Sequence, residues 1–225
     1  KIQERIASQL PAWRERVSRL KKEHGELKVG DVTLEQIYGG IRDVQIQVSD
    51  ISYVDALEGI RLRGYSIPEI VDLLPRVQGT DYPMAGGLHY LLMSDTLPTE
   101  QEALEVEEDW RQRSELPGYL VDILHAMPES SHPMTMFSTA ILALQNDSAF
   151  ARRYSDGLSK SDFWISYLED SDNLIAKLPG IAALIYNMKY QNGLKVEPNP
   201  DLDWGASFAH LIGKGALAGG LGDTM

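Results

Sequence analysis

Apolar residues recur at helical spacing from the start of the chain. Five of them share one face of the segment from residue 2 to residue 24 and alternate with Lys, Arg and Glu: Ile2, Ile6, Leu10, Val17 and Leu20. This spacing predicts an amphipathic helix. Because Gly25 follows His24, and glycine is typical of the end of a helix, we expect the helix to stop there.

The segment from residue 27 to residue 62 follows a different pattern. Short stretches with β-branched residues, at 29–33, 44–48 and 51–54, are separated by Gly and Asp. Such stretches favour the extended conformation. We therefore expect a few small strands here, in the only plausible strand region of the chain.

Helical spacing returns after residue 65, with clear start signals. Ser66 and Glu69 stand three residues apart, as do Thr99 and Glu102, and this is the spacing of a capping box at a helix N-terminus. Pro117 begins another apolar run, which suits the first turn of a helix. These signals predict short helices joined at corners that contain proline.

These elements predict an all-α fold with a few short β-strands near residues 28–62. We divide the chain into an N-terminal helix at 1–26, short strands and loops at 27–65, a helical domain at 66–213 and a Gly-rich tail at 214–225.

Two segments are apolar on nearly every side. They span residues 132–144 and, apart from Lys177, residues 174–186. A helix that is apolar all round must be covered all round, and a chain of 225 residues has few other helices to do so. Either a helix-on-helix interface between subunits covers them, or they are the two central helices of a monomeric bundle.

Composition excludes several classes of function. The absence of cysteine removes disulfides, thiolate nucleophiles and Cys-type zinc sites. The net charge of −12, with an acidic concentration at residues 100–109, disfavours nucleic acid as a partner. No apolar run approaches the roughly 20 residues that a bilayer requires, so we expect a soluble, intracellular protein without a membrane partner.

The histidines offer no metal site. No two of the five stand three or four residues apart, as the ligands of a helical zinc site would. We interpret His89 and His210 as structural residues rather than ligands. The chain also contains no Gly-x-Ser-x-Gly elbow, no Walker loop and no dinucleotide fingerprint after a strand.

Glycines and arginines come together twice, at residues 39–42 and 58–65. Paired glycines let the backbone approach a ligand closely, and a guanidinium can bind a carboxylate or phosphate with two hydrogen bonds. The alternative is that these arginines form salt bridges to Glu58, Glu69 or Asp72. Spacing alone leaves both interpretations open.

The same residues carry a family resemblance. The chain resembles the N-terminal half of citrate synthases of the type found in mitochondria and some bacteria. The matching strings occur in the family's order with near-family spacing: Tyr38-Gly39-Gly40-Ile41-Arg42, Glu58-Gly59-Ile60-Arg61-Leu62-Arg63-Gly64-Tyr65, Leu97-Pro98-Thr99, His132-Pro133-Met134, Ile175-Ala176-Lys177-Leu178-Pro179 and Asp203-Trp204. The resemblance as a whole covers residues 1 to about 215.

The resemblance implies the family's large α-helical domain and its reaction. Acetyl-CoA condenses with oxaloacetate to give citrate and CoA, without a metal. It also implies a homodimer through packed helices that include 132–146 and 174–186. Arg42 and Lys160 match basic positions that hold CoA phosphates. The location would be the cytoplasm of a bacterium or the mitochondrial matrix.

This sequence also departs from the family. Asp43 places an acid beside Arg42, and Lys160 stands where we expect Arg. The family's His-x-x-His-Glu-Gly-Gly-Asn run, its catalytic base and its oxaloacetate-binding arginines have no counterpart, so we assign no catalytic residue and expect the small catalytic domain to be absent.

Three hypotheses follow for the function. The chain is the non-catalytic half of a working citrate synthase, inactive alone; or it is a truncated pseudoenzyme that acts as a dimerising structural or regulatory subunit; or its parent is a 2-methylcitrate synthase.

Overall fold

The computed structural model describes residues 2–44 and 47–215. Over these residues the chain is mainly helical. Its α-helices are α1 Ile2–His24, α2 Leu34–Tyr38, α3 Ile67–Leu73, α4 Ala85–Ser94, α5 Glu100–Arg113, α6 Gly118–Ala126, α7 Pro133–Ala143, α8 Ala149–Ser155, α9 Phe163–Tyr190 and α10 Trp204–Ala209. The predicted all-α class is confirmed, as is the end of the first helix at His24. None of the described helices is long and apolar enough to cross a membrane.

Three short strands form one antiparallel sheet in the order β1-β2-β3. They are β1 Ser52–Asp55, β2 Gly59–Leu62 and β3 Tyr65–Ser66. Asp55 shapes the turn between β1 and β2, because its Oδ1 atom accepts hydrogen bonds from the backbone N–H groups of Leu57, at 2.8 Å, and Glu58, at 2.9 Å. Gly59 follows with a φ of +83°, which favours glycine.

Two of the predicted strands are wrong. Residues 29–33 form no strand, and the described residues of 44–48, namely 44, 47 and 48, form none either. Residues 45 and 46 lie outside the described residues. The third predicted stretch, 51–54, is strand β1 displaced by one residue. β-Branched residues favour an extended conformation, but a strand exists only where a partner completes its hydrogen bonds.

Both predicted capping boxes are confirmed. Ser66 N–H donates to Glu69 Oε2 at 2.7 Å, and Glu69 N–H donates to Ser66 Oγ at 3.4 Å. Thr99 and Glu102 make the same reciprocal pair at the start of α5. Each box satisfies two backbone donors that the first turn of a helix leaves without partners.

The chain forms two compact units. Unit 1 contains residues 1–73 and 91–96, and unit 2 contains residues 74–90 and 97–225. The four-part division made from the sequence stays a prediction, and residues 216–225 of its Gly-rich tail lie outside the described residues.

The centre of unit 2 lies between α6, α7 and α9. Its fully buried side chains are Leu120, Leu124, Met136, Ala140, Ile181 and Ile185. Lys177 of α9 is accommodated here because its Nζ atom donates to the carbonyl oxygen of Arg113 at 2.6 Å, near the C-terminus of α5, where a helix favours cations.

Both apolar helices were predicted to be buried, and the structure confirms this for α9 but not for α7. Ala176 and every second residue of α9 from 179 to 187 are buried, as expected of a central helix. In α7, by contrast, Met134 is 61% exposed and Leu142 is 76% exposed. Complete burial of the 132–144 segment is therefore wrong for the single chain, because α6 and α9 cover only one face of α7.

Candidate functional site

A tight turn after α2 presents Arg42. The turn begins at Gly39 and contains Gly40, Ile41 and Asp43 with φ values of +83°, +57° and +59°. It is closed by a hydrogen bond of 2.6 Å from Ile41 N–H to the Gln36 carbonyl oxygen. Left-handed conformation is unfavourable for a β-branched residue such as Ile41. Local strain of this kind is often found at functional sites.

The guanidinium of Arg42 is exposed. Only its backbone is engaged, as the carbonyl oxygen accepts a hydrogen bond of 3.2 Å from Gln36 Nε2. Among the described residues, no ion pair or hydrogen bond occupies the side chain, and Asp43 does not pair with it. Arg42 is therefore available for an external anion.

The other two arginines of the Gly-Arg segments have structural roles in unit 1. Arg61 pairs with Glu58 at 2.7 Å and with Glu69 at 3.8 Å. Arg63, whose side chain is 10% exposed, donates from Nε and Nη2 to the Leu92 carbonyl oxygen at 2.9 and 2.6 Å. The salt-bridge interpretation is thus confirmed for Arg61. Arg63 binds backbone and also pairs with Asp50 at 3.6 Å and Asp95 at 4.0 Å, which are not the predicted partners.

Lys160 lies at the start of a single 3₁₀ turn, Lys160–Asp162, immediately before α9. Its side chain is exposed, and no residue in the described part of the chain pairs with its Nζ atom. An aromatic cluster stands beside this turn, in which Phe150 stacks on Tyr167 at 4.5 Å and meets Phe163 edge-on at 5.0 Å. Arg42 belongs to unit 1 and Lys160 to unit 2.

The two histidines singled out from the sequence have partners within unit 2. Nε2 of His89 lies 2.9 Å from Asp172 Oδ1, an ion-pair distance without hydrogen-bond geometry. Nε2 of His210 lies 2.9 Å from the Glu197 carbonyl oxygen. Within residues 2–44 and 47–215, no three His, Cys, Asp or Glu side chains are grouped so that they could hold a metal ion.

Unit 2 contains an open cleft of about 730 Å³. Its lining comes from α5, α6, α9, α10 and the segment 194–203. Apolar walls alternate with charges of both signs, and the charged lining residues are Glu107, Arg111, Glu115, Lys195 and Asp203.

Glu107 is the buried charge of this lining. It is 7% exposed and accepts a hydrogen bond of 3.1 Å from the Gly86 N–H. Burial raises the pKa of Glu107, and the nearby Asp203 carboxylate acts in the same direction. A Cβ atom at Gly86 would lie 2.6 Å from the Ala103 carbonyl oxygen, so this close approach of α4 and α5 requires glycine.

The sequence analysis did not predict the cleft, and it treated Glu107 only as part of the acidic concentration at residues 100–109. The signal was helical spacing. Ala103, Glu107 and Trp110 stand four and three residues apart and form the buried face of α5.

The fold defines a class of protein: a mainly α-helical chain in which a small antiparallel sheet precedes a larger helical unit. Known proteins narrow this class. A sequence profile described as "Citrate synthase, C-terminal domain" matches residues 40–219. The chain belongs to the citrate synthase family, as its resemblance suggested.

Two individual relatives support this family assignment. The probable mitochondrial citrate synthase of Glossina morsitans morsitans is 43% identical over 209 residues, which are 92% of this chain and 45% of that protein. The mitochondrial citrate synthase of Aspergillus niger is 42% identical over 214 residues, 95% of this chain and 45% of that protein. The chain therefore spans less than half the length of these relatives.

Two solved structures share the fold. The citrate synthase of Pyrobaculum aerophilum has a TM-score of 0.66 at 23% identity, over 82% of this chain and 45% of that one. The citrate synthase of Thermoplasma acidophilum, in a ternary complex with carboxymethyl coenzyme A and oxaloacetate, has a TM-score of 0.61 at 19% identity, over 77% of this chain and 41% of that one.

Proposed function

We propose that this chain forms the scaffold part of a citrate synthase, which condenses acetyl-CoA with oxaloacetate to give citrate and CoA. The observation that carries the proposal is an identity of 42% to a mitochondrial citrate synthase over 95% of the chain. The mitochondrial relatives favour the mitochondrial matrix as its location.

We further propose that these 225 residues do not catalyse the reaction alone. Condensation needs a base that removes a proton from the acetyl methyl group and donors that stabilise the enolate oxygen. Of the histidines that could donate, His89 is buried against Asp172 and His210 is engaged with the Glu197 backbone. Among the described residues, none of the other three histidines pairs with a buried carboxylate.

Arg42 and Lys160 are proposed to bind the phosphates of CoA. Each cation is exposed and has no partner in the part of the chain that the structure describes, so neither must break an ion pair to bind an anion. Lys160 would act as a point charge, since an ammonium group cannot form the paired hydrogen bonds of a guanidinium.

A homodimer is proposed through helices that include residues 132–146 and 174–186. Met134 and Leu142 expose an apolar stripe on α7. A second copy of the same helix would cover it, as isologous interfaces do. This arrangement also explains why Met134 and Leu142 remain exposed on α7 in the single chain, beside the polar residues Thr135 and Ser138.

The test is release of CoA from acetyl-CoA and oxaloacetate by the purified 225-residue chain. We expect CoA to bind without turnover. A parallel assay with propionyl-CoA checks the 2-methylcitrate alternative. Measurable turnover of either thioester by the homogeneous chain would show that a complete catalytic site is present and would reject the proposed division of labour.

A further inference from the structure

The second half of α1 is strongly basic. Residues 13–22 contain one acidic side chain, Glu15, and five basic ones: Arg14, Arg16, Arg19, Lys21 and Lys22. Their net charge is therefore +4, in a chain whose net charge is −12. Positive charge that is gathered on one helix of an acidic protein indicates a partner of the opposite charge.

The apolar face of the same half is open to solvent. Trp13, Val17 and Leu20 stand four and three residues apart, so they share one side of the helix. Trp13 is 46% exposed and Leu20 is 60% exposed, and none of the residues of α1 is buried. The described part of the chain therefore leaves this apolar face uncovered.

The basic side chains border the open apolar face. Arg16 stands three residues after Trp13 and four before Leu20, whereas Lys21 stands four after Val17, so the two cations lie on opposite edges of the apolar stripe. Both side chains are exposed, and no ion pair or hydrogen bond engages either of them within residues 2–44 and 47–215. A tryptophan and a leucine between basic edges are typical of a helix that lies in the interface of an anionic membrane.

The first half of α1 is attached to the rest of unit 1. Nη2 of Arg5 donates to Thr96 Oγ1 at 3.3 Å, and Nε2 of Gln9 donates to the same oxygen at 3.4 Å. A protein groove that enclosed the helix along its length would have to displace these bonds. A membrane contacts only the side that is open, so it can bind the second half while the first half stays attached.

We propose that residues 13–22 of α1 bind the surface of an anionic phospholipid membrane. Trp13, Val17 and Leu20 enter the headgroup region, and Arg16 and Lys21 contact lipid phosphates on either side. The acidic remainder of the chain does not prevent this binding, because charges farther than about 8 Å from the surface are largely screened at physiological ionic strength.

The proposed helix lies in the plane of the membrane surface and does not cross the bilayer. We expected no membrane partner because no segment is long enough to span, but a surface helix needs no such length. The absence of a membrane-spanning helix among the described residues is therefore compatible with the proposal. The inference goes beyond the proposed reaction and does not depend on it.

Vesicle co-sedimentation of the full 225-residue chain tests the proposal. The vesicles contain either phosphatidylcholine alone or equal parts of phosphatidylcholine and phosphatidylglycerol. We expect the chain to bind the anionic vesicles at low salt, to bind them less as salt is added, and to bind the neutral vesicles far more weakly.

A charge reversal tests the basic edges. Arg16→Glu with Lys21→Glu should lower binding to the anionic vesicles at least about twentyfold, because each basic residue near such a surface contributes about fivefold. Lys195→Glu with Lys214→Glu is the matched control, since it changes the net charge equally at exposed positions of unit 2. It should bind as the unmodified chain does. Circular dichroism checks that both variants fold.

A second pair of variants tests the apolar face. Leu20→Gln keeps a good helix former but removes an apolar side chain, and we expect it to lower binding about tenfold. Leu57→Gln, at a position that is 97% exposed in unit 1, should leave binding unchanged.

Tryptophan fluorescence reports which side of the chain meets the lipid. Brominated lipids in the anionic vesicles should quench the emission of Trp13, which is 46% exposed, and not that of Trp110, which is 4% exposed. Trp13→Phe should therefore lose most of the quenching while it still binds.

Several outcomes would overturn the inference. They are equal binding to neutral and anionic vesicles, no binding to either, or full binding after the reversal of Arg16 and Lys21. Binding of poly-glutamate in place of vesicles would assign the face to an acidic protein. A loss of dimer in Leu20→Gln without vesicle binding would assign it to a second copy of this chain. CoA release enters none of these measurements, so the proposed function is tested separately.

Discussion

His89 and Asp172 form a buried acid-base pair inside unit 2. Nε2 of His89 lies 2.9 Å from Oδ1 of Asp172, and the two side chains are only 7% and 11% exposed. The imidazole also stands edge-on to Trp110, with ring centroids 5.1 Å apart. Each partner of such a pair offsets the desolvation of the other, so the loss of one partner costs more than the loss of both.

We therefore expect Asp172→Ala to lower the free energy of unfolding by about 3 kcal/mol, because it leaves His89 buried without a partner. The double variant His89→Phe with Asp172→Met should recover most of that loss, since both new side chains are apolar and Met adapts to irregular space. Urea unfolding followed by circular dichroism measures both values.

The control for this experiment is Asp81→Ala. Asp81 pairs with Arg76 at 3.0 Å but is 96% exposed, and exposed pairs contribute less than about 1 kcal/mol. If the double variant were as unstable as Asp172→Ala, the loss of a partner for the buried His89 side chain would not be the cause of the instability.

Glu107 gives a pH-dependent prediction. Its pKa in the folded chain is raised above the ordinary value of 4.5, first by burial. The folded state therefore holds this proton to a higher pH than the unfolded state does. The contribution of Glu107 to stability is full below pH 4.5 and is lost as the pH rises through the folded pKa.

Glu107→Gln removes this loss, because a side-chain amide does not ionise and its oxygen can still accept from the Gly86 N–H. The thermal midpoint of the variant, relative to the unmodified chain, should rise between about pH 4 and about pH 8. Glu108→Gln, at the neighbouring exposed position, is the control. A difference between variant and unmodified chain that stays constant over this pH range would contradict the prediction.

Local signals in the sequence predicted local structure well. The capping boxes of Ser66 and Thr99 depend on residues three apart, and both are present. The strands at 29–33 and 44–48 were wrong because strand formation depends on a partner elsewhere in the chain. The exposed face of α7 could not be predicted either, since the covering of a helix depends on tertiary packing.

The candidate site was predictable in part. The family resemblance selected Arg42 and Lys160, whose side chains are both exposed. For Arg61 and Arg63 the spacing fitted two interpretations, and only the folded structure shows that their donors are occupied. The cleft around Trp110 and Trp204 was not foreseen, because it brings together residues of four helices and a loop that are far apart in the sequence.

The proposed homodimer predicts the effect of one surface change. Leu142→Asp places a charge at a position that is 76% exposed in the single chain, so the chain should still fold. In an interface through α7 the carboxylate would be buried without a partner, which is strongly unfavourable. We expect sedimentation velocity to show a shift from dimer to monomer.

Leu57→Asp is the matched control for the dimer, because Leu57 is 97% exposed and lies in unit 1. It should leave the sedimentation coefficient unchanged. A dimer that persists in Leu142→Asp, or an unmodified chain that is monomeric at all concentrations, would exclude α7 as the interface.

The proposed CoA contacts predict a change in affinity at each basic residue. Arg42→Ala and Lys160→Ala should each raise the dissociation constant for free CoA about fivefold to tenfold, the effect of one lost charge-assisted contact. Lys160→Arg should lower it, because a guanidinium can hold a phosphate through two hydrogen bonds. Isothermal titration calorimetry at low salt measures all three, and added salt should weaken binding by the unmodified chain.

Arg76→Ala is the control, since Arg76 is already paired with Asp81. If Arg42→Ala and Lys160→Ala bound CoA as tightly as this control, neither residue would belong to the CoA site.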